Sequence, residues 1–240
     1  MAGRGALSLA PEADPSDALV LRNGRWVPLF RPIHTDRSAA GFCLGETFAE
    51  DYRKDHRGVM TGLIPCADGG TMLEQWQVGG LLFDNAVCQA KLALRTSHIT
   101  AVLWHQGESN TKEGKPPYDK AKLASILYGF REALGLYDVP FLIGGLSPDL
   151  GDTVNGVRTP WKRVEETNCL MASYADETPH TGFVTAERLT TRPDHHFETD
   201  ALIAFGHRYY DVFRALEDRA RIFEEKPEPD NAVRPREVRL

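Results

Sequence analysis

The sequence is poor in cysteine, and its four cysteines are widely spaced. None belongs to a Cys-x-x-Cys pair, so a zinc knuckle or a thioredoxin-type redox centre has no support. Each cysteine stands among apolar neighbours, which predicts buried, unreactive thiols. His34 and Asp36 are the only cluster of metal-ligating residue types besides the Asp194–His196 segment. We therefore expect no metal site.

Long apolar runs, excess positive charge and internal repeats are also absent. No uninterrupted apolar stretch approaches the ~18 residues that a membrane-spanning helix needs. The net charge is −6, which argues against nucleic acid or an anionic membrane as a partner. No apolar signal segment opens the chain, which favours a cytoplasmic protein. A length of 240 residues fits a single domain, which we place at 1–223, followed by a mobile, charged, proline-containing tail at 224–240.

The chain instead alternates between short apolar runs and amphipathic stretches. The runs predict buried strands at 59–65, 99–104, 139–143 and 183–186. Apolar spacing predicts helices at 41–56, 81–94, 118–134, 161–174 and 199–216. Residues 1–40 show no periodicity and predict an irregular segment with a short extended piece around Trp26. Apolar strands separated by helices indicate an α/β protein with a parallel sheet covered on both faces.

Polar and glycine-rich segments follow the predicted strands, where ligands bind in such folds. Gly69-Gly70 could present a backbone N–H to an oxyanion or could form a plain turn before a helix. The segment 105–110 (HQGESN) carries Glu108, which is either functional or a helix cap. Asp194-His195-His196 suits a general base. We expect His196 to be that base and His195 to be solvated.

Together, these segments resemble the carbohydrate-esterase branch of the SGNH/GDSL hydrolase superfamily, which includes sialate O-acetylesterases and acetylxylan-esterase-like proteins. The segments that carry the resemblance are LRNGRW from Leu21, GLIPCADGGT at 62–71, WHQGESN at 104–110 and FGHRY at 205–209. It covers the chain to about residue 216. The resemblance implies a three-layer α/β/α sandwich with a mostly parallel central sheet, and a serine hydrolase that removes acetyl esters from sugars without a metal or organic cofactor.

The resemblance also implies roles for individual residues. His196 would be the general base, Gly69 or Gly70 would supply an oxyanion-hole N–H, and the Gln106 amide would donate to the same oxyanion. Trp104 and His105 would shape the sugar site, and Trp76 could do so or belong to the core.

Two residues are candidates for the acid that orients His196. The family's late acid usually precedes the histidine by three residues, where Pro193 stands here, whereas Asp194 precedes it by two. We expect Glu108 to be the orienting acid, with Asp194 second.

The nucleophile departs further from the family pattern. The family serine lies in a Gly-Gln-Ser-Asn block at the end of the first strand, commonly followed by Met-Ala-Gly-Arg-Gly, and residues 1–5 read MAGRG. We therefore expect the first strand and its serine to be encoded upstream of Met1. The 240 residues alone would fold poorly, because buried unpaired backbone groups each cost roughly 1–3 kcal/mol.

One alternative nucleophile and two alternatives to an esterase stay open. Gly107-Glu108-Ser109-Asn110 itself has a Gly-x-Ser-Asn pattern, which makes Ser109 a second candidate nucleophile. A protein of the same fold that binds sugars without catalysis is the alternative to an esterase, and a fragment with no folded state is a third.

Overall fold

A computed structural model describes residues 3–12 and 18–224 of the chain. Six α-helices and eight strands occur in these ranges. The strands are β1 (Ala18–Arg22), β2 (Arg25–Pro28), β3 (Thr61–Leu63), β4 (Val102–Trp104), β5 (Phe141–Gly144), β6 (Gly151–Val154), β7 (Val157–Pro160) and β8 (Thr181–Val184). The helices are α1 (Leu44–Asp55), α2 (Leu81–Ala93), α3 (Glu108–Thr111), α4 (Lys120–Leu134), α5 (Val164–Glu177) and α6 (Thr199–Glu224). The predicted tail after Glu224 lies outside the described residues.

The predicted α/β architecture with mainly parallel strands is confirmed. In one sheet, of order β2-β1-β3, β1 is antiparallel to β2 and parallel to β3. In the second, of order β4-β5-β8, every pairing is parallel, with Leu103 opposite Leu142 and Leu142 opposite Gly182. The carboxyl ends of β3, β4, β5 and β8 are where the polar segments begin.

Strand β5 shows why the core has two halves. All four of its residues are buried. Because strand side chains alternate between faces, Phe141 and Ile143 join the core beneath α2, α4 and α5. Leu142 joins the core on the opposite face, beneath α1 and α6. The sheet is therefore covered on both sides, as a three-layer sandwich requires.

The sequence predicted the helices better than the hairpins. Residues 1–40 contain the β1–β2 hairpin, where only a short extended piece was expected. The β6–β7 hairpin was not predicted, although its Asn155-Gly156 turn is a strong hairpin signal. Both turn residues have positive φ, 51° and 78°. Strand ends moved by up to three residues, and the last helix continues to Glu224.

The boundary between the two sheets lies between β3 and β4. Within residues 3–12 and 18–224, β3 pairs only with β1 and β4 only with β5, so each strand keeps one edge without a backbone partner. The two strands are nevertheless neighbours. Side-chain atoms of Leu63 and Leu103 both lie 3.9 Å from the position that a β-carbon on Gly45 would occupy. Helix α1 therefore covers this boundary.

No helix in the described ranges has the length and apolarity needed to cross a membrane.

Candidate active site

Two of the predicted site segments are tied together at one end of the sheet. The Gln106 amide nitrogen donates to the Thr71 carbonyl at 3.0 Å, and the Ser109 hydroxyl donates to the Gly70 carbonyl at 3.1 Å. These bonds join the turn after β3 to the segment after β4. We call this end of the sheet, formed by residues 67–71, 105–110 and 194–197, the rim.

The late histidine segment lies on the same rim. The His105 ring packs edge-on against Phe197, with ring centroids 5.9 Å apart, and against Phe205 at 5.5 Å. Since Phe197 directly follows His196, this packing brings the predicted general base to the segment after β4. The fold therefore assembles three predicted site segments that are distant in sequence.

His196 lies beside Asp194. Its Nδ1 is 3.3 Å from Asp194 Oδ2, and its backbone N–H donates to Asp194 Oδ1 at 3.3 Å. Arg192 holds the same carboxylate through two bonds of 3.2 and 3.1 Å. Partial burial raises the pKa of Asp194, but hydrogen bonds from Arg192 and His196 outweigh it, so the net shift is downward. Asp194 is therefore ionised and able to stabilise a protonated His196.

Glu108 pairs with His105 rather than with His196. The His105 Nε2 is 3.1 Å from Glu108 Oε1, and the two side chains are 2% and 25% exposed. Burial lowers the pKa of His105, and the neighbouring Glu108 carboxylate only partly offsets this effect. Burial also raises the pKa of Glu108, but the contact with His105 more than compensates and lowers it to about 2. The described residues show no contact between Glu108 and His196.

The predicted oxyanion donors are unequally available. Gly69 N–H donates to Asp36 Oδ2 at 2.9 Å, and both amide bonds of Gln106 go to Thr71 and Asn110. Within the described ranges the Gly70 N–H has no acceptor. The Gln106 Oε1 is buried without a hydrogen-bond partner there. The geometry therefore favours Gly70 as the backbone donor.

Trp104 and Trp76 lie in the hydrophobic core. Each is only 6% exposed, their rings pack edge-on at 5.4 Å, and Trp76 Nε1 donates to Thr71 Oγ1 at 3.0 Å. With His105 equally enclosed, neither Trp104 nor His105 offers a surface to a sugar. The alternative reading of Trp76 as a core residue fits this placement.

His195, which the sequence predicted to be solvated, is only partly exposed, with 27% of its side chain accessible. Its ring stacks obliquely on Trp161 at 4.7 Å, and its Nε2 is 4.0 Å from Asp152. The physical reason is the unpredicted β6–β7 hairpin, which carries Asp152 and leads directly into Trp161. Burial lowers the pKa of His195, and the positive charge of Lys112 lowers it as well.

The cysteines divide into two classes. Burial raises the pKa of Cys43 and Cys66 to about 12, as expected of inert thiols. Cys88 and Cys169, predicted to be buried, are instead exposed. They lie on α2 and α5, whose outer faces meet solvent.

The His34–Asp36 cluster holds no arrangement for a metal. In the described part of the chain no group of three or more His, Cys, Asp or Glu side chains could hold an ion. Burial lowers the pKa of His34 to about 4. Asp36 is bound to Arg4 through both carboxylate oxygens. These contacts join residues more than thirty positions apart, and no local sequence pattern signals them.

No serine of the described residues contacts His196. Ser109, the alternative nucleophile, donates its hydroxyl to Gly70 instead.

Comparisons with known proteins place the chain in a family. Residues 1–215 match the family described as "Carbohydrate esterase, sialic acid-specific acetylesterase". A probable carbohydrate esterase of Arabidopsis thaliana is 32% identical over 110 residues, which is 42% of this chain and 42% of that protein. The match thus spans less than half of that relative's length.

Two solved structures share the fold. The X-ray structure of a protein from Arabidopsis thaliana superposes with a TM-score of 0.75 at 22% identity, covering 90% of this chain and 93% of the other. A carbohydrate acetylesterase from Xanthomonas citri gives a TM-score of 0.55 at 22% identity, covering 75% and 42% of the two chains. The family match extends over nearly the whole described chain and includes every segment of the rim. The chain belongs to the sialic acid-specific acetylesterase family of carbohydrate esterases.

Proposed function

We propose that the protein is a carbohydrate O-acetylesterase that removes acetyl groups from sugars, such as sialic acid or xylan units, through an acyl-serine intermediate. The observation that carries the proposal is that the His196–Asp194 pair and the Gly70 turn both contact the segment after β4, through Phe197 and Ser109 respectively. An imidazole next to a carboxylate can activate a serine. A free backbone N–H nearby can stabilise the tetrahedral oxyanion.

In the proposed mechanism His196 removes the proton from the serine hydroxyl, which attacks the acetyl carbonyl. Asp194 stabilises the resulting imidazolium, and the Gly70 N–H donates to the oxyanion. His196 then returns the proton to the sugar oxygen as the ester C–O bond breaks. Water hydrolyses the acetyl-serine with the same base, releasing acetate. No metal or organic cofactor takes part in these steps.

The serine in this proposal lies on a strand that is not part of residues 1–240. A strand inserted between β3 and β4, parallel to both, would use their unpaired edges. Its carboxyl end would reach the rim.

Residues 3–6 lie close to the rim and support this placement, because Arg4 binds Asp36, which in turn accepts the Gly69 N–H. Gly5 and Phe42 exchange backbone bonds of 3.1 and 2.9 Å, and Thr199 Oγ1 donates to the Ala6 carbonyl at 3.3 Å. A residue shortly before this segment would therefore lie close to the turn and to the histidine segment. The buried Gln106 Oε1 would also gain a donor there.

The test is to produce the protein from the upstream in-frame codons and assay acetate release from O-acetylated sialic acid and acetylated xylo-oligosaccharides. A fluorophosphonate probe, which labels activated serines, is then mapped by peptide mass spectrometry. We expect acetate release and a label on a serine upstream of Met1. A label on Ser109 would overturn the proposed nucleophile. Sugar binding without acetate release would support the non-catalytic alternative.

A further inference from the structure

Arg4 and Asp36 form a buried ion pair beneath the Gly69-Gly70 turn. Arg4 donates from Nη2 to Asp36 Oδ2 at 2.5 Å and from Nη1 to Oδ1 at 3.2 Å, and the side chains are 5% and 4% exposed. Burial raises the pKa of Asp36, but the bonds from Arg4 and Gly69 more than offset it, and the pKa is lowered. The pair is thus an ionised, two-bond clamp of the kind that fixes orientation.

The same carboxylate holds the backbone of the turn. Asp36 Oδ2 accepts the Gly69 N–H at 2.9 Å. A β-carbon on Gly69 would lie 2.4 Å from Arg4 Nη2 and 3.0 Å from Asp36 Oδ2, so only glycine allows this approach. The next residue, Gly70, has φ +78° and is held from its other side by Ser109. The turn is therefore fixed at both residues while the Gly70 N–H keeps no acceptor within the described ranges.

We propose that Arg4 and Asp36 are positioning residues that hold the Gly70 N–H where the oxyanion forms. The inference rests on the proposed function and deepens it. Asp36 accepts the hydrogen bond of the Gly69 N–H. The turn therefore offers the oxyanion one backbone donor, that of Gly70, and not two. Preorganised donors stabilise a transition state because they need no rearrangement as charge develops. The pair should therefore affect kcat and leave substrate binding unchanged.

The chain contains a matched control pair that does not touch the turn. Arg31 Nε binds Glu46 Oε2 at 2.6 Å, and the Glu46 side chain is 4% exposed. Glu46 Oε1 also accepts a backbone N–H, from Cys43 at 3.3 Å. Both carboxylates are thus buried, paired with an arginine and bound to one backbone amide. Only Asp36 reaches the Gly69-Gly70 turn.

The experiment compares Asp36→Asn with Glu46→Gln in the protein that includes the upstream segment, measuring kcat, KM and the urea midpoint. Both variants should lose stability, because each removes the negative charge of a buried carboxylate that binds an arginine. We expect Asp36→Asn to lower kcat about 10- to 100-fold with KM within about twofold. Glu46→Gln should keep kcat within about twofold. Equal kcat in the two variants would overturn the inference while leaving the esterase assignment intact.

A second variant that should fold and a measurement that does not need activity make the test independent of misfolding and of catalysis. Arg4→Lys keeps the buried cation but not the two-bond geometry, so it should fold and show a smaller kcat loss of about 3- to 10-fold. Amide hydrogen exchange at Gly69 should accelerate at least about tenfold in Asp36→Asn and not in Glu46→Gln. If the parent protein hydrolyses no acetyl ester, the proposed function fails and the positioning role fails with it. Unchanged exchange at Gly69 would overturn the inference alone.

Discussion

Two histidine–carboxylate pairs lie on the same rim but in different surroundings. His105 and Glu108 are 3.1 Å apart and enclosed, with His105 packed against Phe197 and Phe205. His196 and Asp194 are 3.3 Å apart, and their side chains are 37% and 56% exposed. A largely buried pair of this kind contributes to the stability of the fold. A pair that meets solvent can exchange protons with a substrate, so the residue types alone do not distinguish structure from chemistry.

The largest effect should come from removing the exposed imidazole. In a protein extended by the proposed upstream strand, His196→Ala should lower kcat about 10³-fold or more, because the proposed serine loses its base. Its free energy of unfolding should change by less than about 0.5 kcal/mol. The neighbouring His195→Ala is the control and should retain activity within about tenfold. An active His196→Ala protein would contradict the assignment of the base.

Removing the enclosed imidazole should damage stability instead. His105→Ala leaves the Glu108 carboxylate without its partner and opens a cavity beside Phe197. We expect the free energy of unfolding to fall by about 3 kcal/mol, measured by urea denaturation against His196→Ala. If the two variants were equally stable, the contrast between the pairs would be lost.

Kinetic measurements can show whether Asp194 or Glu108 assists His196. Asp194→Asn should lower kcat about 10- to 100-fold with KM nearly unchanged, because it removes the carboxylate proposed to stabilise the His196 imidazolium. Glu108→Gln, which does not contact His196, should reduce kcat less. The reverse order would support the expectation from the sequence that Glu108 orients the base.

The smallest effect is a pH dependence of stability. The folded protein lowers the pKa of Glu108 to about 2 from 4.5, so its ionised form adds stability above pH 4.5 that is lost as the pH falls toward 2. Glu108→Gln should therefore destabilise by about 1.5–3 kcal/mol at pH 7. The difference from the parent should vanish near pH 2. Asp194→Asn is the exposed control and should differ little at any pH. A pH-independent deficit in Glu108→Gln would contradict an ionised Glu108.

Much of the fold could be predicted because its signals are local. The strand that became β5 is a continuous apolar run, which is typical of a strand buried on both faces. The helices followed from their apolar spacing, and the segments of the rim followed from the rule that polar residues at the carboxyl ends of parallel strands converge. The β6–β7 hairpin was missed although Asn155-Gly156 is a strong hairpin signal, and Asp152 of this hairpin lies beside His195.

The sequence by itself determined the family, the α/β architecture and which segments meet at the rim, because strand and helix periodicity and the order of the blocks are properties of neighbouring residues. Only the tertiary structure decided which side chains contact one another. It paired Glu108 with His105 and Asp194 with His196, enclosed Trp104, and joined Arg4 to Asp36 across 32 positions. Hydrogen bonds and burial depend on distances between segments far apart in the chain. No local pattern encodes those distances.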